Sequence, residues 1–343
     1  LAPIRAGANQ GLVVALFTVA VSLLLGVLIA LFVARPIVAL SDHVRRIGQG
    51  QLEHEIRLTE FPEFVRLSEA INAMVGGLRE RLQLRRSLEL AMEVQQRLLP
   101  SRTPEFPGLE IAGHSHYCDE TGGDYFDYLE LGGATPETAV IVIGDVSGHG
   151  VAAAMIMASA RAVLRSRSRD TASLAELLRH MNRQITADAS GGRFMTMLLL
   201  AIDAPRQQLR WACAGHREPL LFQPGAAAFT ELRGAGIPLG IDAVADYQEH
   251  RFDDLRPSQI FLLATDGLWE AKSPSGEKLG LERLCAVVRD CAHLPAAQIR
   301  DRIAAEERAF RGGAPQSDDV SFVIVKITAV GPAAGAALIG AVS

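Results

Sequence analysis

Between Gly11 and Ala34 the chain runs for 24 residues without a charge. At 1.5 Å per residue a helix of that length crosses a hydrocarbon core of about 30 Å, so the segment reads as a transmembrane helix. A cleaved signal peptide has a shorter apolar stretch and a small-residue cleavage site, whereas this run passes through Arg35 and Pro36 straight into a polar helix. Composition agrees: 49% of residues are hydrophobic and 21% charged, more apolar sequence than a soluble core needs. Arg35, Arg45 and Arg46 follow the span and Arg5 precedes it, which places everything after Arg35 in the cytoplasm. The expected location is the inner membrane of the cell, with the run as the single span or the last of several. The chain begins with Leu1 rather than Met, so we read it as a fragment with a sensor region expected upstream. With 34 basic and 39 acidic residues the net charge is −5, and no local basic patch marks a nucleic-acid partner. Cys118, Cys213, Cys285 and Cys291 show neither a CxxC pair nor metal-ligand spacing, and they read as reduced thiols.

After Pro36, apolar residues at Ile37, Leu40, Val44 and Ile47 form a narrow helical seam, and Phe64, Leu67, Ile71, Met74 and Leu78 form a second. Each seam is too thin to fold alone. Two such helices from each of two chains would close a four-helix coiled coil, so a homodimer is expected. Residues 35–82 resemble the HAMP signal-relay domain. The likeness rests on Pro36, the first seam, Gly50 and Leu52 in the connector, Glu60 and Glu63, and the stretch from Leu67 to Met74. Arg81 and Arg85 then occupy positions the seam reserves for apolar side chains, which predicts a break in phase over 79–86. Helical character resumes through Leu88, Met92, Gln95 and Leu99 and stops at Pro100. The 83–100 stretch holds no His, which excludes the phosphoacceptor helix of a histidine kinase.

From about Glu105 the pattern changes to short apolar runs between Gly and Pro turns. Strands are expected at 109–118, 125–132, 138–145, 194–203, 208–214, 218–223, 247–252, 259–265 and 320–327, and helices at 151–167, 172–188, 281–292 and 295–310. Strands in runs with helices inserted in pairs predict an α/β (α+β) sandwich of two mainly antiparallel β-sheets flanked by helices, rather than repeated βαβ units. The last fifteen residues, 329–343, read as a flexible tail.

Four acidic clusters fall at predicted strand ends or in the adjoining turns: Asp124 with Asp127, Asp145, Asp266, and Asp318 with Asp319. A lone Thr-Asp-Gly is usually an ordinary turn. Several carboxylates converging from different strands are instead what two hard divalent cations need, and the lack of a Cys/His pattern favours Mg2+ or Mn2+ over zinc.

In this order the clusters resemble the type 2C protein phosphatase superfamily, in its bacterial branch named after stage II sporulation protein E. The likeness covers residues 88–327. It is carried also by Gln95–Pro100, Phe194–Leu198, Ala214–Leu221, Leu263–Ala271 and the closing run from Asp318 to Val325. The resemblance implies that Asp145 bridges two metals, that the backbone carbonyl of Val146 adds a ligand, and that Asp124, Asp266 and Asp318 complete the site. Asp319 reads as a supporting residue and Asp127 is left open. The implied chemistry is direct attack of water on phosphorus, without a phosphoenzyme, the ions lowering the pKa of the water. His149 and His216 are read as ordering Gly-rich loops, with general acid as the alternative for either.

The implied substrate is phosphoserine or phosphothreonine on a protein of the anti-sigma-factor antagonist kind, in a partner-switching pathway. Two readings compete. The Gly122-Gly123-Asp124-Tyr125-Phe126 run is similar to the signature hairpin of diguanylate cyclases, but Tyr125 stands where a cyclase has its decisive Glu. A phosphatase-like domain that only binds a partner is the other. The expected organisation is an extracytoplasmic remnant at 1–10, the span at 11–34, HAMP at 35–82, a signalling helix at 83–100, a phosphatase domain at 101–328 and the tail at 329–343.

Overall fold

The uncharged run is helical throughout. α1 (Ala2–Ile29) passes through a wide turn of π geometry (Ala30–Ala34) into α2 (Arg35–Gly48). Over Val14–Gly48 this helix has the length and apolarity of a membrane span, and its large apolar side chains from Val14 to Val33 are exposed. The computed structural model describes residues 2–58, 61–119, 121–188, 192–226, 228–234 and 236–331, and the side chains of residues 2–13 are not described. Glu60 and the predicted tail beyond 331 therefore lie outside the described residues.

The chain divides into two units, Leu1–Ser87 and Leu88–Ser343. In the first, Leu52 and Ile56 of the connector after α2 are buried, and the helix α3 (Pro62–Gln96) follows. Asn72 fixes that connector by pairing with one backbone unit in both directions: its amide donates to Ile56 O (2.8 Å) and its carbonyl accepts from Ile56 N (3.1 Å). Of the predicted first seam only Leu40 is buried. On the part of α3 within this unit the buried positions are Ser68 and Val75, while Leu67, Met74 and Leu78 of the second seam remain exposed. Within one chain the second helix therefore turns a different face inward from the one its heptads mark. The predicted phase break at 79–86 is not a break in structure, because α3 continues to Gln96; its end falls three residues before the expected stop at Leu99.

The second unit is a sandwich of two five-stranded sheets in which every strand pair is antiparallel. One sheet has the order β1 (Leu109–His116), β10 (Val320–Ile327), β9 (Ile260–Ala264), β6 (Leu220–Phe222), β7 (Thr230–Glu231). The other has β2 (Tyr125–Leu129), β3 (Ala139–Val146), β4 (Met195–Asp203), β5 (Gln208–Ala214), β8 (His250–Phe252). Alternation along the strands explains the layering. On β3, Ile141 and Ile143 face the other sheet, where Phe261, Leu263, Val323 and Val325 meet them. Val140 and Val142 face outward and are covered by Met157, Leu164, Leu177 and Leu178 of α4 (Val151–Arg167) and α5 (Leu174–Asp188). On the opposite side α7 (Gly280–Cys291) and α8 (Ala296–Arg311) cover Leu262 and Ile324 with Leu284, Val288, Ile299 and Ile303. Central strands buried on both faces have no polar side to show, which is why they read as unbroken apolar runs.

Three short elements escaped the sequence reading: β7, only two residues long, α6 (Gly267–Glu270), a single turn, and the 3-10 turn Ser168–Asp170 after α4. The expected strand at 247–252 shortens to its last three residues.

Candidate active site

Antiparallel pairing brings the acidic clusters to one end of the sandwich. β3 ends where β2 begins, with Tyr125 opposite Gly144, so Asp124 and Asp145 stand side by side at the edge of one sheet. β9 ends where β10 begins, with Ala264 opposite Phe322, so Asp266, Asp318 and Asp319 gather at the corresponding edge of the other. A hydrogen bond ties the two edges together: Thr265 Oγ1 donates to Asp124 Oδ2 (2.8 Å) and accepts from Ser321 N (3.0 Å).

The carboxylates differ in what they have left to offer. Asp319 is buried and fully engaged: Oδ1 accepts from Cys118 N (2.8 Å) and Oδ2 from Gly123 N (2.8 Å). A Cβ on Gly122 would fall on the Asp319 carboxylate, so the first glycine of the Gly-Gly-Asp run is required by this close approach. Asp319 thus supports the loop, as expected. Gly122 is also gripped from α3, whose buried Gln95 donates Nε2 to Gly122 O (2.5 Å) and accepts from Gly122 N at Oε1 (3.2 Å).

Asp127 belongs to a different construction. Its carboxylate is buried on β2 and takes two hydrogen bonds from Arg165 of α4 (2.7 Å each), one from the Tyr125 hydroxyl (2.6 Å) and one from Tyr128 N (2.8 Å). With its lone pairs so occupied it is a structural anion.

The remaining four repel one another. Burial raises the Asp124 carboxyl well above its usual range, and Asp145 and Asp319 push it further. Burial also raises Asp145, to about 8, helped by Asp266, Asp318 and Asp319, and its carboxyl lies within hydrogen-bonding reach of that of Asp124. Asp266 and Asp318 shift upward as well, each first by burial and then by an acidic neighbour, Glu270 for Asp266 and Asp266 for Asp318. Negative charge held together at this cost is stabilised when cations share the space. Among the described residues no three His, Cys, Asp or Glu side chains are already drawn into a ligand cluster. The donor set is nevertheless all oxygen, as hard divalent ions require. A Cβ on Gly123 would stand 2.7 Å from the Val146 carbonyl oxygen, so the second glycine keeps that face of the carbonyl clear.

The two histidines separate. Burial lowers His216 to about 4, so it is neutral. Its Nε2 faces Ala264 O (3.1 Å), which can only accept, so Nε2 carries the proton and Nδ1 accepts from Thr196 Oγ1 (2.8 Å). Both nitrogens are thereby committed to holding the loop after β5 against β9, the ordering role expected for it. His149 is largely exposed and pairs through Nδ1 with Asp119 Oδ2 (2.5 Å). Sequence reasoning passed over Thr196, Thr265, Arg217 and Trp269, although all four lie within or beside the motifs it used. The only available signal was that Thr265 adjoins Asp266 and Arg217 adjoins His216; Thr196 and Trp269 had none beyond their motifs. The Gly-Gly-Asp run enters β2, whose partner is β3, and does not form the turn of a hairpin as the cyclase comparison requires.

A helix-covered pair of antiparallel sheets with acidic residues gathered at one end is the architecture of the type 2C phosphatases, and comparison with known proteins agrees. Residues 135–328 match the family described as stage II sporulation protein E (SpoIIE), and residues 28–80 match the HAMP domain. The first match takes in more than half of the chain, and the chain belongs to the SpoIIE family. Asp145, Asp266 and Asp318 lie inside the matched segment and Asp124 ahead of it. The chain is 26% identical over 216 residues to phosphoserine phosphatase RsbU of Bacillus subtilis (strain 168), across 61% of this chain and 63% of that protein. It spans 51% and 59% of the length of two further curated relatives. Among solved structures, the SiaA-PP2C domain of Pseudomonas aeruginosa is similar with a TM-score of 0.63 and 25% identity, over 72% of this chain and 98% of that one. The RsbU and RsbW domains of Rv1364c from Mycobacterium tuberculosis give a TM-score of 0.54 and 27% identity, over 67% and 62% of the two chains.

Proposed function

We propose that this chain is a membrane-anchored, signal-responsive protein serine/threonine phosphatase. Its substrate would be a phosphorylated protein of the anti-sigma-factor antagonist kind, as the similarity to RsbU suggests. The observation that carries the reading is the meeting of Asp124, Asp145, Asp266 and Asp318 from two sheets at one end of the sandwich, with burial and mutual repulsion unrelieved.

These four carboxylates and the Val146 carbonyl would hold two divalent cations, Mg2+ or Mn2+, which supply an activated water and offset phosphoryl charge. Asp319 and Gln95 hold the loop that presents Asp124, and Thr265 fixes the rotamer of Asp124 across the sheet junction. His216 keeps the loop after β5 in place and moves no proton. The span at 11–34, a HAMP relay at 35–82, a signalling helix at 83–100 and a catalytic domain at 101–328 complete the design. The exposed seam on α3 would be covered by the same helix of a second copy, in an inner-membrane homodimer with its catalytic domain cytoplasmic.

The test is phosphate release from phosphoserine-bearing candidate proteins by the full chain with Mn2+ or Mg2+. Turnover that ends on chelation and returns with either ion supports the reading. A chain that binds the phosphoprotein but never releases phosphate is a binding module, and the proposal fails.

A further inference from the structure

β5 ends at Ala214 and β6 begins at Leu220, so residues 215–219 cross from one sheet to the other at the end where the carboxylates meet. Gly215 turns the chain with φ +67°, packed against Pro238, and two residues later Arg217 reaches a cavity of about 320 Å3. Asp145, Asp266, Thr196, His216 and Trp269 share its wall. With His216 neutral, Arg217 is the one cation among the described residues that line it.

An arginine beside several carboxylates would ordinarily pair with them. Arg217 instead pairs away from them, through Nη2 to Glu231 Oε1 on the edge strand β7. The guanidinium carbon of Arg217 lies over the Trp269 ring, 5.2 Å from its centroid, a cation–π contact. Held by one nitrogen and by that contact, the group loses little further freedom on binding a ligand. Glu231 engages Nη2 alone, so the donor capacity of the guanidinium is not used up by it; the Nε, covered and unpartnered, is not among the donors open to a ligand.

We propose that Arg217 binds the phosphoryl group of the substrate. Its planar fork would donate to the non-bridging oxygens of a phosphate monoester lying between Trp269 and the carboxylates. Trp269 and Glu231 are the positioning residues that orient it. The proposal rests on the phosphatase reading, because a phosphate enters this acidic cavity only when cations offset the carboxylates.

The test uses the full chain with Mn2+ and compares wild type with Arg217→Gln and Arg217→Lys. The readouts are kcat/KM on a phosphoserine peptide, inhibition by inorganic phosphate, and quenching of tryptophan fluorescence by inorganic phosphate. Charge-assisted hydrogen bonds of this kind predict a loss of about ten- to a hundredfold in kcat/KM for Arg217→Gln and a matching rise in the phosphate inhibition constant. Arg217→Lys should recover part of both. The Mn2+ concentration for half-activation should stay within about twofold, since Arg217 touches no proposed ligand. Values of kcat/KM and phosphate inhibition near wild type would overturn the proposal. So would a loss matched by an equal rise in Mn2+ requirement, which would mark a structural role. If wild type releases no phosphate, the phosphatase reading fails by itself. Quenching by phosphate that disappears in Arg217→Gln would still uphold the anion site, and its absence in wild type would sink it.

Discussion

Replacing Arg165 with alanine tests whether Asp127 is a structural anion or a hidden member of the active site. The Asp127 carboxylate is wholly buried, whereas Arg165 is about half exposed, so the substitution strands the charge that cannot reach water. Removing one partner of a buried ion pair costs about 3–5 kcal/mol. The lower end applies here, because Asp127 keeps the Tyr125 hydroxyl and Tyr128 N, and Arg161 stands 3.9 Å away. A loss of about 3 kcal/mol in a unit of this size should lower the melting temperature by about 6–12 °C. The companion variant Asp127→Asn should also lose stability, while the protein that remains folded turns over at the wild-type rate with the wild-type metal requirement. Thermal and urea unfolding followed by near-ultraviolet circular dichroism, alongside phosphate release, gives both quantities. A melting temperature within 2 °C of wild type for Arg165→Ala, or an Asp127→Asn protein that is stable but inactive, would refute the assignment and return Asp127 to the site.

Four further outcomes follow from the same geometry. Asp145→Asn and Asp266→Asn should abolish turnover and shift metal activation to higher concentration while unfolding like wild type; wild-type rates at limiting metal would remove either residue from the site. Chelation should stop phosphate release, with Mn2+ or Mg2+ restoring it, and full turnover in a metal-free sample would exclude the all-oxygen metal site. His216 has a folded pKa of about 4, below its unfolded 6.5, so the stability it contributes is complete above pH 6.5 and is lost as pH falls towards 4. That loss amounts to about 3 kcal/mol, and His216→Asn should flatten the stability profile across this window; an unchanged slope would show that the imidazole is not held neutral. Arg81→Leu with Arg85→Leu, and insertions of four or seven residues after Arg86, should lock or shift activity in membrane-inserted protein; wild-type behaviour in all three would leave α3 as a passive tether.

How much of this could be read in the sequence depended on how many residues each feature spans. β3, β4 and β10 are buried on both faces, so the unbroken apolar runs Ala139–Ile143, Met197–Ile202 and Phe322–Val325 announced them. β7 buries neither of its two residues and α6 has four, too few for any period to register. The carboxylates were legible because each lies at the end of a predicted strand or in the turn beside it. The partner of Asp127 was not, because Arg165 lies 38 residues away on a helix whose polar face gives no hint of which charge it meets. The loss of the seam at Arg81 and Arg85 brings no break in α3 for a related reason. Arginine can leave its head in water while the backbone stays helical, so a lost seam is not a lost helix.

Gln95 and Gly122 meet through an amide on one side and bare backbone on the other. Such a junction ignores the chemistry of neighbouring side chains and responds only to where the helix presents its amide. A shift of one residue along α3 turns that amide through about 100° and moves it about 1.5 Å, enough to undo both bonds at once. The end of the helix therefore engages the Asp124 loop as a key engages a ward: it fits at one angle and height, or it leaves the loop unheld.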